Sequence, residues 1–397
     1  MLQKVKNIYH LFQALIANFV YGFPSTKIKV IGISGTDGKT TTTHLIYHIL
    51  KSAGKKVSII SSVYADIGGN ILDTGFHVTT PDSFPLQKLI KASVTNGDEY
   101  LILETTSHAI DQNRVAGIKY FIGVITNITH EHLDYHKTYI QYLQTKSRLF
   151  DYANIALINS DDGSFSHLKK ILHKKEIKVY QYGFKHKSNF NFNFKKRITR
   201  FNRYNYLAGF SVATILGIND SLIYKALDSF QLPPGRLETI YDKQFKVIID
   251  FAHTPNAFRQ LLPEIRIQYL RNKDKLIHVF GAASERDTSK RPLMGKESSR
   301  YADYIILTEE DCRKENADKI CKEIAAGIEN DKDWQIITDR RKAIEKAINI
   351  AQIGDVVLLT GKGHEKSLCR GKIEFPWSEH NAVINALALR KRLTTDN

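Results

Sequence analysis

Cysteine is scarce: Cys312, Cys321 and Cys369 are the three in a chain of 397 residues. Three thiols cannot all pair and none stands in a CxxC spacing, which argues against a disulfide scaffold and a structural zinc site and for a reducing, cytoplasmic setting. Long apolar runs are also missing. The nearest approach, Leu11–Phe23, falls short of the roughly 20 residues that a bilayer span needs. Lys4 and Lys6 precede it, but no small-residue cleavage site follows, so it does not read as a secretion signal. Its simplest reading is a helix that docks its apolar face on the next domain and ends near Gly22 and Pro24; an interfacial membrane helix is the alternative. Acids are few, 41 against 57 Lys+Arg, which leaves a formal charge of +16. Such an excess suits nucleic acid, anionic lipid or a phosphate-rich substrate, and charge alone does not choose among them.

No internal repeat or low-complexity tract interrupts the chain, and its length fits two or three domains. Short β-branched runs bounded by glycine read as buried strands: Lys27–Ile33, Val57–Ser62, Tyr100–Glu104, Phe121–Asn127 and Ile155–Asn159. Helical stretches alternate with them, so an α/β fold with a parallel sheet is expected. Gly163–Asn205 breaks the rhythm. It holds twelve Lys/Arg against one acid, Glu176, and so carries most of the net charge. Beyond it Tyr206–Leu216 reads as a helix and Leu232–Gly235 as a turn-rich linker. A second α/β series follows, with strands at Lys246–Phe251, Leu276–Phe280, Tyr304–Thr308 and Asp355–Thr360. The expected organisation is an N-terminal lead-in helix over 1–26, a central α/β domain over 27–234 and a second α/β domain over 235–397.

The sharpest local signal is a strand followed by Gly35-Thr36-Asp37-Gly38-Lys39-Thr40 and then a helix. Glycines let backbone N–H groups turn inward, the helix N-terminus adds its dipole, Lys39 reaches terminal phosphates, and the Thr40 hydroxyl can ligate Mg²⁺. Ile33 stands where the longer phosphate-loop spacing has its first glycine, so this is the shorter GxxGKT form.

GTDGKTTT in this context resembles the ATP loop of the Mur ligases, the ADP-forming enzymes that add amino acids to the peptidoglycan precursor. Further segments resemble the branch that adds the third residue, and they follow in the family's order: TTPD at Thr79–Asp82, LETTSHAIDQNRV at Leu103–Val115, and TNITHEHLDYHKTYIQYLQTKSRLF at Thr126–Phe150. After these come PPGRLE at Pro233–Glu238, DFAHTPNA at Asp250–Ala257, RDTSKRPLMG at Arg286–Gly295 and GKGHE at Gly361–Glu365. The resemblance implies a P-loop-type ATPase domain followed by a Rossmann-like domain, and amide formation through an acyl phosphate in the cytoplasm, by a protein expected to be monomeric.

It also implies roles residue by residue. ATP would contact Gly35, Thr36, Asp37, Gly38, Lys39, Thr40 and Thr41, with Asn205 at adenine and Arg236, Asp250 and His253 from the second domain. Mg²⁺, expected as two ions, would be held by Thr40 and Glu104 and by His132 with Lys146. In this family the lysine matching Lys146 carries a CO₂-derived carbamate, an anionic oxygen ligand; by spacing alone Lys146 would be a surface lysine on an amphipathic helix. The muramoyl peptide would meet Thr79, Thr80, Ser107 and Arg114, and the incoming amino acid Arg286, Arg313, Gly361 and Glu365. His130–His136 tempts a zinc reading, but three imidazoles without a thiolate do not form a convincing cluster.

Three features depart from the pattern. The resemblance implies an N-terminal UDP-binding domain, for which the stretch before Lys27 has no room, so nucleotide-sugar affinity is expected to come from elsewhere. The diaminopimelate-recognising branch has Asp-Asn-Pro-Arg where this chain has Glu310-Asp311-Cys312-Arg313; Arg313 is kept, which favours meso-diaminopimelate over L-lysine only modestly. The stretch from Gly183 to Phe201 is short and basic. Four alternatives follow: a relative acting on a lipid-linked muramoyl peptide, a folylpolyglutamate-synthetase-like ligase, a catalytically dead homologue, and a nucleotide-dependent nucleic-acid-binding protein. The last is suggested by Phe190, Phe192 and Phe194 among cations, an alternation equally expected of a strand with one buried face. No nucleic-acid partner is expected.

Overall fold

The computed structural model describes residues 2–73, 79–129, 133–192, 194, 198–284 and 287–395. The chain divides into two compact units, Met1–Gln231 and Leu232–Asn397.

In the first unit the strands are β1 (Lys29–Ser34), β2 (Val57–Ile60), β3 (Ala65–Ile67), β4 (Asn70–Leu72), β5 (Tyr100–Glu104), β6 (Tyr120–Ile125), β7 (Ala153–Asn159) and β8 (Lys178–Tyr182). The helices are α1 (Leu2–Val20), α2 (Lys39–Ser52), α3 (Ser83–Thr95), α4 (Ser107–Asp111), α5 (Leu133–His136), α6 (Tyr139–Ser147), α7 (Phe165–Leu172), α8 (Arg200–Ile215) and α9 (Asp220–Ser229). The strands form one sheet in the order β4-β3-β2-β5-β1-β6-β7-β8. All pairings from β2 to β8 are parallel, and β3 and β4 add an antiparallel edge. Val30, Ile31 and Ile33 on β1 are fully buried, as an uninterrupted β-branched run in a parallel sheet covered on both faces should be. Chain order reverses at β1, which lies between β5 and β6. A doubly wound sheet opens a crevice at the carboxyl ends of its strands at such a point.

Two local features differ from the sequence reading. Helix α8 starts six residues before Tyr206, so Asn202 and Asn205 lie on its buried face. The Phe190–Phe194 alternation does not extend a strand, because Phe190 makes only a single parallel bridge to Tyr182. Phe192 instead stacks on Phe210 and Tyr224, with centroids 5.2 and 4.9 Å apart, and Phe194 packs edge-on against Phe184 and Tyr206. Aromatic packing thus anchors the segment to α8 and α9.

The second unit contains β9 (Glu238–Asp242), β10 (Lys246–Ile249), β11 (Leu276–Phe280), β12 (Tyr304–Leu307), β13 (Asp333–Ile336) and β14 (Val356–Leu359), in the order β13-β12-β11-β14-β10-β9. Only β9 runs antiparallel in this sheet. A separate hairpin pairs β15 (Ser367–Arg370) with β16 (Ile373–Pro376). Helices α10 (Pro255–Tyr269), α11 (Lys290–Ser299), α12 (Ala317–Ala325), α13 (Arg340–Ile350) and α14 (Glu379–Thr395) complete it. Both units are therefore α/β with mostly parallel sheets, as the strand–helix alternation predicts.

His278 lies in the middle of β11, fully buried between Ser298 Oγ at 2.8 Å and Thr360 Oγ1 at 3.0 Å. Burial, aided by the Arg340 charge, pushes its pKa down to about 3 from 6.5. The folded pKa is the lower one, so the unfolded chain binds the extra proton and acidification favours unfolding. The contribution is intact above pH 6.5 and lost progressively towards pH 3. At pH 5 the loss amounts to about 2 kcal/mol. Urea unfolding of the second unit's signal at pH 7.5 and 5.0 should show a lower midpoint at pH 5.0, with a smaller drop in His278→Asn.

Candidate active site

The loop after β1 is shaped by two glycines. Gly35 and Gly38 have φ of 151° and 80°, and a Cβ on them would lie 1.9 Å from Thr126 Oγ1 and 2.2 Å from Asn205 Oδ1, respectively. Neither position admits a side chain. The loop is tied to the end of β6: Asp37 N donates to Asn127 Oδ1 at 2.9 Å, while Thr126 Oγ1 and Asn127 Nδ2 donate to Asp37 O at 2.7 and 2.9 Å. Helix α2 begins at Lys39 without an acidic residue in its first turn, so its N–H groups and dipole remain available to an anion. Thr40 to Thr43 are all buried, which explains why four β-branched residues are tolerated in a helix. Lys39 Nζ folds over the loop to Thr36 O at 2.7 Å. Asn205 joins the cradle from α8, accepting from Thr42 Oγ1 at 3.3 Å and donating to Asn202 Oδ1 at 2.9 Å.

Glu104 ends β5, next to β1, and is buried. Its Oε1 accepts from Thr40 Oγ1 at 2.9 Å and its Oε2 from Ser62 N at 3.0 Å. Two oxygens bound at adjacent positions of one octahedral Mg²⁺, each about 2.1 Å away, stand about 3.0 Å apart. The Thr40–Glu104 pair therefore has the spacing and donor chemistry to hold Mg²⁺ beside the loop. Among the described residues no group of three or more His, Cys, Asp or Glu forms a metal cluster.

Lys146 is not the surface lysine that spacing alone suggests. It is 1% exposed on α6, donates to Gly35 O at 2.6 Å and lies 4.7 Å from the centre of the Tyr142 ring. Tyr142 OH in turn meets Thr36 Oγ1 at 3.2 Å. Helix α6 thus presents its lysine to the phosphate loop from below. His132 lies outside the described residues. His136 is buried, with Nε2 3.2 Å from Ser107 Oγ.

Thr80, Ser107 and Arg114 gather above β5. Thr80 Oγ1 donates to Glu104 O at 3.0 Å, Thr106 N donates back to Thr80 Oγ1 at 3.1 Å, and Arg114 Nη1 donates to Thr80 O at 2.7 Å. Arg114 also lies 3.5 Å from Asp82. The TTPD and SHAIDQNRV motifs thereby converge on the same sheet edge as Glu104. Thr79 precedes this contact, and Thr41 is buried in the first turn of α2.

In the second unit, Arg236 and Asp250 come together after the Pro-Gly turn. The Arg236 guanidinium lies 4.5 Å over the Phe251 ring, and Asp250 accepts from Leu237 N and Ala252 N, both at 2.8 Å. Burial raises the Asp250 pKa, and Arg236 and those N–H groups offset this in part. Asp250 therefore shapes the loop that carries Arg236 and His253. His253 Nδ1 is 2.8 Å from Phe251 O, and Lys290 Nζ donates to His253 O at 3.0 Å.

A second charged cluster forms at the carboxyl ends of β12 and β14. Lys362, fully buried, reaches Asp311 Oδ1 at 2.9 Å and Glu365 Oε2 at 2.5 Å. Burial opposes its charge, but Glu365 and Asp311 outweigh it and hold the pKa above the ordinary lysine value. Asp311 Oδ1 also accepts from Cys369 N at 3.0 Å, and Arg313, at φ 42°, is tied by its N–H to Cys369 O at 3.0 Å. Glu310 approaches Gly361 so closely that a Cβ there would lie 2.6 Å from Oε2, an oxygen with no hydrogen-bond partner among the described residues. Burial raises the Glu310 pKa against the pull of Lys362 and Lys290. The structure thus gathers Arg313, Gly361 and Glu365. Arg286 lies outside the described residues. Sequence reasoning missed Lys362, Asn127 and Tyr142, although all three stand inside the quoted motifs.

The comparisons agree with this layout. Residues 33–217 match the Mur ligase middle domain, and residues 235–363 the Mur ligase glutamate ligase domain. UDP-N-acetylmuramoyl-L-alanyl-D-glutamate–2,6-diaminopimelate ligase of Aquifex aeolicus is 40% identical over 391 residues, covering 94% of this chain and 80% of the relative. UDP-N-acetylmuramyl-tripeptide synthetase of Borreliella burgdorferi is 39% identical over 411 residues, with 95% and 80% covered. A solved UDP-N-acetylmuramoyl-L-alanyl-D-glutamate–2,6-diaminopimelate ligase superposes with a TM-score of 0.62 at 27% identity, over 92% of this chain and 79% of that one. The bifunctional folylpolyglutamate synthase/dihydrofolate synthase of Yersinia pestis reaches a TM-score of 0.73 over 96% and 93% of the two chains, but at 17% identity it shares the fold alone. With both domains matched in order and a relative 40% identical over 94% of this chain, the chain belongs to the Mur ligase family.

Proposed function

We propose that this protein is an ADP-forming amide ligase that adds meso-diaminopimelate to UDP-MurNAc-L-Ala-D-Glu in peptidoglycan precursor synthesis. The observation that carries the reading is the meeting of Lys39, Thr40, Glu104 and Lys146 around one loop, in a chain whose relatives include ligases named for diaminopimelate.

The reaction has two steps. A carboxylate oxygen of the D-Glu residue attacks the γ-phosphorus of ATP and ADP leaves, forming an acyl phosphate. The amine then attacks the acyl carbon, and phosphate departs with that oxygen while the amine loses a proton. In the first step negative charge spreads over the transferred phosphoryl group. The α2 N-terminus and the loop N–H groups oppose it without having to reorganise, and Lys39 joins them by swinging from Thr36 O to the phosphates. Mg²⁺ held by Thr40 and Glu104 would neutralise phosphate charge and hold the acceptor in line. A second ion would need an anionic oxygen, which a carbamate on Lys146 would supply. Thr80, Ser107 and Arg114, on the same edge as Glu104, are assigned to the muramoyl peptide.

Amino-acid choice is assigned to the cluster at Arg313, Gly361 and Glu365. Diaminopimelate carries a carboxylate and an ammonium at its distal end, whereas lysine carries only the ammonium. Arg313 suits the carboxylate as a fixed fork, and Glu365 suits the ammonium. Phosphate release should be measured with ATP, Mg²⁺ and UDP-MurNAc-L-Ala-D-Glu, with meso-diaminopimelate, L-lysine or L-ornithine supplied in turn. Release should depend on the amine and be fastest with meso-diaminopimelate. Equal rates with L-lysine would remove the role given to Arg313, and turnover confined to a lipid-linked muramoyl peptide would overturn the substrate assignment.

A further inference from the structure

The surface of α1 has no part in the chemistry above. One side of the helix is fastened to the first unit. Ala14, Ala17 and Asn18 are buried, Asn18 Nδ2 donates to Ala116 O at 2.9 Å, Asn113 Nδ2 donates to Asn7 O at 3.0 Å, and Asn7 Nδ2 donates to Asp111 Oδ2 at 3.0 Å. These contacts lie about three turns apart, so the orientation of the helix is set by polar anchors and small residues. The opposite side is apolar and faces outward: Ile8, Phe12, Leu15, Ile16, Phe19 and Val20 are all exposed, Phe12 at 61% and Phe19 at 75%. At 3.6 residues per turn these six cover an arc of roughly 140°. A monomeric soluble protein rarely displays such a continuous apolar stripe without a use for it.

Charge identifies the occupant. Helix α1 contains Lys4, Lys6 and His10 and no acid. Lys6 is exposed, Lys27 is exposed just beyond the helix, and Lys88 and Lys91 are exposed on α3, which packs against α1. Of the acids at α3 and α4 beside it, Asp82 lies 3.5 Å from Arg114, and Asp111 accepts from Asn7 and from Tyr135 OH at 2.7 Å. A cationic rim around an outward apolar stripe is complementary to an anionic lipid surface, into which the stripe can sink while the lysines remain among the headgroups. No described helix is long and apolar enough to cross a membrane, so the contact is with the surface.

We propose that α1 is an interfacial anchor that seats this protein on anionic bilayers, with Phe12 and Phe19 inserted and Lys6, Lys88 and Lys91 against lipid phosphates. The test is co-sedimentation of the full chain with vesicles of phosphatidylcholine alone and of equimolar phosphatidylcholine and phosphatidylglycerol. Partition onto the anionic vesicles should exceed that onto neutral ones by at least about ten-fold and fall with added salt. Phe12→Gln/Phe19→Gln, both on the surface, should lower it by a similar factor while leaving thermal unfolding and phosphate release in solution unchanged. Equal binding by the double variant would overturn the proposal, because the basic stretch after Gly163 would then be sufficient. So would the absence of binding to either vesicle, and so would a dimer that the double variant dissolves in a chain indifferent to lipid.

Discussion

Lys146→Ala should lose turnover by roughly a thousand-fold or more, the scale of removing a preorganised charge-bearing group. The side chain is buried against Gly35 O and the Tyr142 ring, so its functional end lies where the phosphate loop turns. Carbamoylation joins the neutral amine to CO₂, releases a proton and converts a cation into an anionic oxygen ligand. Two results separate this role from structural support. Turnover of the wild type should fall reversibly when CO₂ is stripped from the buffer, and Lys146→Ala should regain part of its activity with acetate or formate. Thermal unfolding of the variant accounts for the lost hydrogen bond, worth about 1–3 kcal/mol if Gly35 O remains buried and unpaired. Undiminished turnover in Lys146→Ala would remove the carbamate assignment.

Glu104→Gln should raise the Mg²⁺ concentration needed for half-maximal phosphate release by roughly ten- to a hundred-fold, as loss of a charged oxygen ligand or its orienting partner commonly does. The amide preserves the size of the side chain, and its oxygen can still accept from Ser62 N while its NH₂ donates to Thr40 Oγ1, so the fold should be little affected. Thr40→Val removes the other oxygen and should act in the same direction. Unaltered Mg²⁺ dependence in both variants would place the metal elsewhere.

The phosphate loop was legible because its chemistry constrains a contiguous segment: a strand, two glycines, Lys39 and Thr40 must occur together. Glu104 was legible from its position at a strand's carboxyl end. Lys146 was legible only through the family resemblance, because helical spacing alone leaves it on a surface and its burial depends on Gly35, 111 residues away. Asn127 and Tyr142 were missed for the same reason. Each serves the loop across about a hundred residues, and the only local sign of Asn127 is its place directly after the apolar run of β6. Lys362 was passed over inside GKGHE, since its meaning comes from Asp311 on another strand end. The Phe190–Phe194 alternation misled in the opposite direction: period two suggested a strand, while the rings are held by stacking on α8 and α9. The fold was legible because parallel strands buried on both faces write themselves as continuous apolar runs.

The central claim is that a substrate carboxylate is activated by phosphoryl transfer before the amine attacks. It is tested most directly by labelling the D-Glu side-chain carboxylate of UDP-MurNAc-L-Ala-D-Glu with ¹⁸O and running the reaction with ATP, Mg²⁺ and meso-diaminopimelate. The released phosphate should carry one ¹⁸O for every amide formed. Phosphate free of ¹⁸O, or phosphate released at the same rate without the amine, would contradict the account.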